Sequence, residues 1–278
     1  MVHISHRFLI IAVMAFCGYS ANAQYLEGGI IGGGTVYEGD LSPRSFMDKW
    51  SHIKPAVGVF VRQNFNQYFA VRLSYEYGTF AAADGPERAN RNLSFQSTLS
   101  ELAATVEFNF PGYDPALYKR LSPYAFVGIA YMHFSPKADV QGQLVELQPL
   151  GTEGQGLDGY GDFYSLDQLT IPFGGGIKYA LTPTITIAAE FGPRMTFTDY
   201  LDDVSGSYAS YRDLAQNRGT FVAKLADRAN ELTGAEPIDR GGEPRGNPKF
   251  KDWYFFGNIT ISYHFYDLIG QGSSCPTF

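Results

Sequence analysis

Nine ionisable side chains stand inside apolar runs of this sequence: Glu27, Arg62, Arg72, Glu76, Glu101, Glu107, Lys178, Glu190 and Arg194. The stretch "YFAVRLSYEYGTF", residues 68–80, shows the pattern. Read with a period of two, Phe69, Val71, Leu73, Tyr75 and Tyr77 share one face, and Arg72 and Glu76 lie on the other with Ala70, Ser74 and Gly78. Both signs are present among the nine, so the chemistry they offer first is mutual ion pairing. A buried charge without a partner costs several kcal/mol or more.

Other residues invite different chemistry. His133 with Asp199 or Asp202 has the composition of an acid–base pair that could activate water or a hydroxyl at a barrel rim. No nucleophile-elbow motif accompanies it, and a lone His on a strand has the simpler reading of a rim or lumen residue. Asp199, Asp202 and Asp203, with "GLDGYGDF" in the preceding long connection, supply oxygens that could hold calcium, but their spacing departs from the twelve-residue calcium loop. The plainer reading is a capping loop over the barrel mouth. "GGIIGGG" at 28–34 lacks the Lys-Ser/Thr ending of a phosphate loop and lies in a strand, where Gly makes room for a bulky side chain opposite. His52 and His264 have no second ligand at metal spacing, so neither a metal nor a cofactor is expected.

The elements that must position these residues are strands. The alternation recurs at Leu102, Ala104, Val106, Phe108 and Phe110 against Glu101, Thr105, Glu107 and Asn109, and at Trp253, Phe255, Ile259, Ile261, Tyr263 and Phe265 against Asn258, Thr260, Ser262 and His264. "YLEGGIIGGGTVY", "KPAVGVFVRQNF", "LTIPFGGGIKY" and "TITIAAEFGPRMTF" bring Glu27, Arg62, Lys178, Glu190 and Arg194. "SPYAFVGIAYMHF" is a strand whose two faces the sequence does not distinguish. These make eight strands. Connections alternate between short ("NFNQ", "PGYDPALYKRLS", "LTPT") and long (near 38–52, 81–92, 135–165 and 199–250), with an amphipathic helix expected at 214–232 in the last. The expectation is an all-β, eight-stranded antiparallel up-and-down barrel of the bacterial outer membrane, with long extracellular loops, both mature termini in the periplasm and a lumen plugged by its own charges. A soluble sandwich or lipocalin-like barrel shares the alternation but turns its apolar face inward. Aromatic residues near strand ends and the terminal "ITISYHF" favour the membrane.

The ends of the chain agree. Arg7, an apolar stretch from Phe8 to Phe16 and Ala21-Asn22-Ala23 read as an export signal over 1–23, followed by a barrel at 24–266 and a periplasmic tail at 267–278. Removing the signal removes Cys17 and leaves Cys275, so no internal disulfide is expected. With 21 Lys and Arg against 28 Asp and Glu, the balance is acidic and argues against nucleic-acid binding.

"LQPLGTEGQGL" (147–157), "FTDYLDDVSGSY" (197–208) and "RGNPKFKDWYFF" (245–256), with "GVFVRQNFN", "AVRLSYEYG" and "IPFGGGIKY" in matching order, resemble the PorG family of bacterial outer-membrane proteins over almost the whole mature chain. The resemblance implies a non-enzymatic barrel component of the type IX secretion system, which in some bacteria supports gliding. It implies association with a periplasmic ring of a lipoprotein and a partner subunit, and not a translocation conduit. On that reading Cys275 is expected to form an intermolecular disulfide with the ring lipoprotein or to remain a free thiol. Tyr113, Tyr118, Lys119 and Arg120, in the short "PGYDPALYKRL" connection, are expected as exposed contacts for periplasmic partners. A rim enzyme and a passive structural barrel are the competing readings.

Overall fold

The computed structural model describes residues 25–43, 49, 52–117 and 119–266. The export signal, Tyr118, Cys275 and the 267–278 tail lie outside the described residues.

The alternating runs form β1 (Tyr25–Glu38), β2 (Lys54–Asn64), β3 (Phe69–Ala83), β4 (Ser94–Asn109), β5 (Leu121–Val140), β7 (Asp167–Ala180), β8 (Ile185–Thr196) and β9 (Trp253–Phe265). Each pairs antiparallel with the next, and β1 pairs with β9, closing an eight-stranded up-and-down barrel. A short additional strand, β6 (Gln143–Glu146), folds back on the end of β5 as a hairpin beyond the barrel wall. Closure leaves no open edge in the eight-stranded wall, where hydrocarbon would not tolerate one.

Burial is inverted relative to a soluble barrel. Val57, Val59, Val61, Leu73, Tyr75, Leu102, Val106, Val127, Ile129, Ile177, Ile259 and Ile261 face outward, while Arg62, Arg72, Lys178 and Glu107 are buried within. Aromatic groups ring the outside near the strand ends. Phe108 lies between Phe69 and Phe110 at centroid distances of 5.1 and 5.3 Å, and Tyr263 packs on Phe265, at the end with short turns. Phe191 stacks on Phe255 and Phe173 meets Trp253 toward the other end. An apolar band between aromatic girdles, around a polar interior, is the architecture of a transmembrane barrel of the outer-membrane type.

The lumen has two storeys. The half nearer the short turns holds the charges. Toward the long loops Tyr37, Phe80, Phe95, Leu99, Met132, Phe134, Tyr254 and Phe256 form an apolar core that Leu41, Leu147, Leu201 and Val204 of the loops complete. A tilted strand needs about 9–11 residues to span a bilayer. β5 has 20, so the surplus carries the upper storey past the hydrocarbon. Its facing is plain in the fold: Tyr124, Phe126, Met132 and Phe134 point in, and Leu121, Val127, Ile129 and Tyr131 point out.

The helical stretch in the last loop is three short helices, not one: α1 (Tyr211–Arg218), α2 (Thr220–Ala226) and α3 (Ala229–Thr233). Gly219 breaks the first from the second with a φ of 92°, a conformation other residues rarely adopt. Leu214, Val222, Ala223 and Ala226 pack into a small apolar cluster of the cap.

Candidate functional site

The lumen charges form two knots, each built around a pair of like charges. Arg62 of β2 and Arg72 of β3 are register partners. Glu107 of β4 lies between them, 2.9 Å from Arg62 Nε and 3.2 Å from Arg72 Nε. Lys178 Nζ reaches the same carboxylate at 2.5 Å. Arg62 also binds Glu27 at 2.6 Å, and Arg72 binds Glu190 at 2.7 Å. In the second knot Glu76 and Glu101 are register partners across β3 and β4, and Arg194 of β8 binds both, at 3.3 and 3.1 Å.

Like charges directly opposed are destabilising. They are held here because each pair shares a counter-charge from another strand. Five carboxylates meet four fixed cations, and neutral donors serve the excess: Tyr124 OH gives a 2.6 Å bond to Glu190, Asn258 a 2.9 Å bond to Glu76, and Tyr254 and Ser262 donate to Glu101 and Glu27. Aromatic faces cover the cations, with Lys178 Nζ 4.3 Å from the Tyr124 ring and Arg194 4.7 Å from Phe256. Arg62 lies 4.8 Å from the Phe60 ring. A Cβ on Gly29 would come within 2.6 Å of that ring, so glycine in the first strand does make room for a bulky lumen neighbour. Arg62, Arg72, Lys178 and Glu107 are each at most 1 % exposed. Water does not reach them, and the lumen is shut.

At the short-turn end Tyr113 corrects the expectation of an exposed contact. It is 1 % exposed. Its turn folds back over the barrel, its backbone NH donates to Gln67 O at 2.6 Å, and its hydroxyl meets Thr186. The ring lies 6.3 Å from His264, which stacks on Tyr25 at 4.9 Å, so these aromatics cork the charged storey. Lys119 is exposed and donates to Gln67 Oε1 at 2.5 Å, and Arg120 is half-buried at the wall.

At the long-loop end the three aspartates part company. Asp199 accepts from Ser205 and from Lys251 at 2.5 and 3.1 Å. Asp202 accepts the backbone NH of Leu41 and of Val204 at 3.1 and 2.9 Å, joining the first loop to the last. Asp203 accepts from Thr152 and Tyr164 at 2.5 and 2.6 Å. They do not converge on a shared point, and the cluster is a set of loop clamps, not a calcium cage. Burial pushes the Asp202 carboxyl up to about 8 and Asp203 up to about 6, the latter against the pull of Arg245. Asp252, whose pKa is raised by burial and by Asp202 beside it, accepts Leu201 NH at 2.9 Å and Tyr37 OH at 3.1 Å.

His133 is not near this cluster. It faces outward, half-exposed, with Nδ1 2.9 Å from Asp167 Oδ1. Two important cap residues carry no periodic signal in the sequence: buried Arg245 binds Glu153 at 3.1 Å, tying the loop after β6 to the loop after β8. Both lie in loop motifs of the sequence, "RGNPKFKDWYFF" and "LQPLGTEGQGL".

A family model described as "Domain of unknown function (DUF6089)" matches residues 6–220, most of the chain and all strands from β1 to β8. The chain belongs to this family. This DUF6089 barrel is also similar to solved structures at low identity. Neisserial surface protein A shares 10 % identity, with 89 % of this chain and 100 % of that one covered and a TM-score of 0.41. The attachment invasion locus protein Ail of Yersinia pestis shares 10 % over 87 % of this chain and 97 % of that one, with a TM-score of 0.39. A major outer membrane protein of Thermus thermophilus shares 14 % over 88 % and 100 %, also with a TM-score of 0.39. No curated protein matches the DUF6089 chain.

Proposed function

We propose that this protein is a non-enzymatic outer-membrane component of a type IX secretion machinery, anchoring a periplasmic lipoprotein ring at the membrane. The observation that carries the reading is the shut lumen. A barrel stitched across its interior by Arg62, Arg72, Lys178 and Arg194 offers cargo no path, which favours a structural part over a conduit. The resemblance of the loop motifs to PorG proteins supplies the machinery to which the anchor would belong.

On this proposal the short-turn end faces the periplasm. β1 begins and β9 finishes at that end, the same rim as the turn bearing Lys119, and Cys275 follows β9 in the sequence. Cys275 and a ring cysteine would form one intermolecular disulfide by thiol–disulfide exchange, their two protons and two electrons passing to a periplasmic protein disulfide that is reduced to its dithiol. Lys119 and Arg120 remain candidates for contact, and Tyr113 acts by holding the turn in place.

The test is affinity purification of the tagged barrel from native membranes, with non-reducing electrophoresis of the eluate. The expected result is co-purification of the ring lipoprotein and its partner, with a heavier band that Cys275→Ser abolishes. A barrel that brings no ring subunits with it is a passive structural protein, and the proposal fails.

A further inference from the structure

Strand β6 pairs with β5 from Lys137↔Glu146 to Val140↔Gln143, and among the described residues no strand pairs with its other flank. Gln141 and Gly142, both at positive φ (54° and 83°), make the two-residue turn that fixes this register. Leu147 NH donates to Pro136 O at 2.9 Å, which sets the phase of the ladder. Residues of an antiparallel strand alternate in the side to which their backbone groups point. Gln143 and Val145 therefore bond β5, and the NH and C=O of Leu144 and Glu146 point away from it. These four groups have no hydrogen-bond partner among the described residues. Leu144 is 53 % exposed, while Val145 packs on the apolar core. The hairpin lies beyond the last β5–β7 pair, His133↔Asp167, outside the hydrocarbon that would forbid such an edge. β6 is short, but its sequence QLVE carries no Pro or Lys to turn a partner strand away.

We propose that β6 is a docking edge for an extended segment of another polypeptide, added antiparallel, with Lys or Arg opposite Glu146 and apolar residues opposite Val145 and Leu144. Peptide donors and acceptors spaced along a strand edge are matched by a second extended backbone. The side chains supply the preference. Leu144 offers an apolar cross-strand contact, and the Glu146 carboxylate, 58 % exposed and 3.1 Å from Lys137, favours a cation across the new pair. A second copy of this chain is the poorer occupant. A two-fold axis at Val145 sets Leu144 against Glu146 in both directions, and an axis at Glu146 opposes two carboxylates. An axis at Leu144 leaves a single hydrogen-bonded pair within the strands. The edge lies on the long-loop rim, so its use is independent of the ring contacts proposed for the short turns.

The probe is a capped peptide, Thr-Lys-Val-Leu-Thr, titrated into the isotope-labelled mature barrel in detergent micelles and followed by NMR, which reads weak binding. The amide signals of Leu144 and Glu146 should shift, and those of Gln143 and Val145, already bonded to β5, should shift less. Methylating the peptide's Lys and Leu amide nitrogens removes the two donors aimed at the edge and should weaken binding about 10-fold or more. Glu146→Lys should weaken the Lys peptide about 2- to 5-fold and favour its Glu counterpart by a similar factor. Leu144→Pro deletes an outward donor and no bond to β5, so it should abolish binding, with hydrogen exchange at Val145 checking that the hairpin holds. Where the hairpin opens, the Glu146→Lys reversal decides. Absence of edge shifts, equal binding of the methylated peptide, or indifference to Glu146→Lys would overturn the proposal. Concentration-dependent pairing of the barrel through β6 without peptide would overturn it too, by assigning the edge to a second copy.

Discussion

Arg62 and Arg72 face each other as register partners inside a sealed lumen, with the Glu107 carboxylate between them. Lys178 shares that carboxylate, so Glu107 is the counter-charge of three cations. Glu107→Gln keeps the shape and removes the charge. Arg62 and Arg72 retain Glu27 and Glu190, but the opposed guanidiniums and Lys178 lose the group that separates them. A loss of about 3–5 kcal/mol is expected, the usual cost of breaking a buried pair. Urea unfolding in detergent, read as the heat-modifiable mobility of the folded barrel, measures it. A change within about 0.5 kcal/mol would show that the knot is not holding the lumen together.

The second knot should behave as a unit. Arg194→Met leaves Glu76 and Glu101 opposed and uncompensated across β3 and β4, and is expected to destabilise strongly. Adding Glu76→Gln and Glu101→Gln to the same chain removes the repulsion and should recover much of the loss. The coupling in the cycle is expected in the range of about 0.5–3 kcal/mol. Strict additivity of the three changes would contradict the shared-cation geometry.

Much of this is legible in period-two alternation, because in β3 an Arg72 or Glu76 between outward Leu73, Tyr75 and Tyr77 can only point inward. The pairing is not legible. Arg72 and Glu76 are four residues apart, yet Arg72 bonds Glu190 and Glu76 bonds Arg194, each 118 residues away. Barrel closure decides those partners, and no local spacing encodes closure. β5 hides its facing for a different reason: its upper half lines an apolar storey, so Met132 and Phe134 inside look no more polar than Ile129 and Tyr131 outside. Tyr113 escapes a reading by composition, which does not reveal that a turn folds back into a barrel mouth. In the cap, Arg245 and Glu153 lie in irregular backbone, where there is no period to read.

The outward face makes its own prediction. Ile129 is 70 % exposed in the middle part of β5, on the apolar exterior. Lysine there should cost about 2–4 kcal/mol at the bilayer midplane, falling toward the interfaces. Ile238 is similarly exposed at 71 %, but in the last long loop, and Ile238→Lys should be close to neutral. Refolding yields into lipid vesicles separate the two cases. Equal tolerance of both substitutions would mean that the belt does not meet hydrocarbon.

The cap should loosen as pH rises, and the sign follows from which state holds protons more tightly. An unfolded aspartate titrates near 3.9. Burial raises Asp202 to about 8 and Asp203 to about 6, and raises Asp252 as well, so the folded cap binds protons that the unfolded loops release. Stability then falls with increasing pH wherever the folded state is the more protonated. The contribution is full below about pH 4, declines through pH 6 as Asp203 ionises, and is lost as Asp202 ionises near 8. Asp202 joins Leu41 to the last loop, so the consequence is local: hydrogen exchange at Leu41 and Val204 should accelerate toward pH 8 after correction for the intrinsic rate. Asp202→Asn keeps an acceptor without the ionisation and should flatten the upper part of that profile. The lumen knots make a built-in control, since Arg194 and Glu101 lie within the barrel wall and not in the cap. Loosening confined to the cap supports the aspartate clamps, whereas a profile unchanged by Asp202→Asn assigns the pH response to other groups.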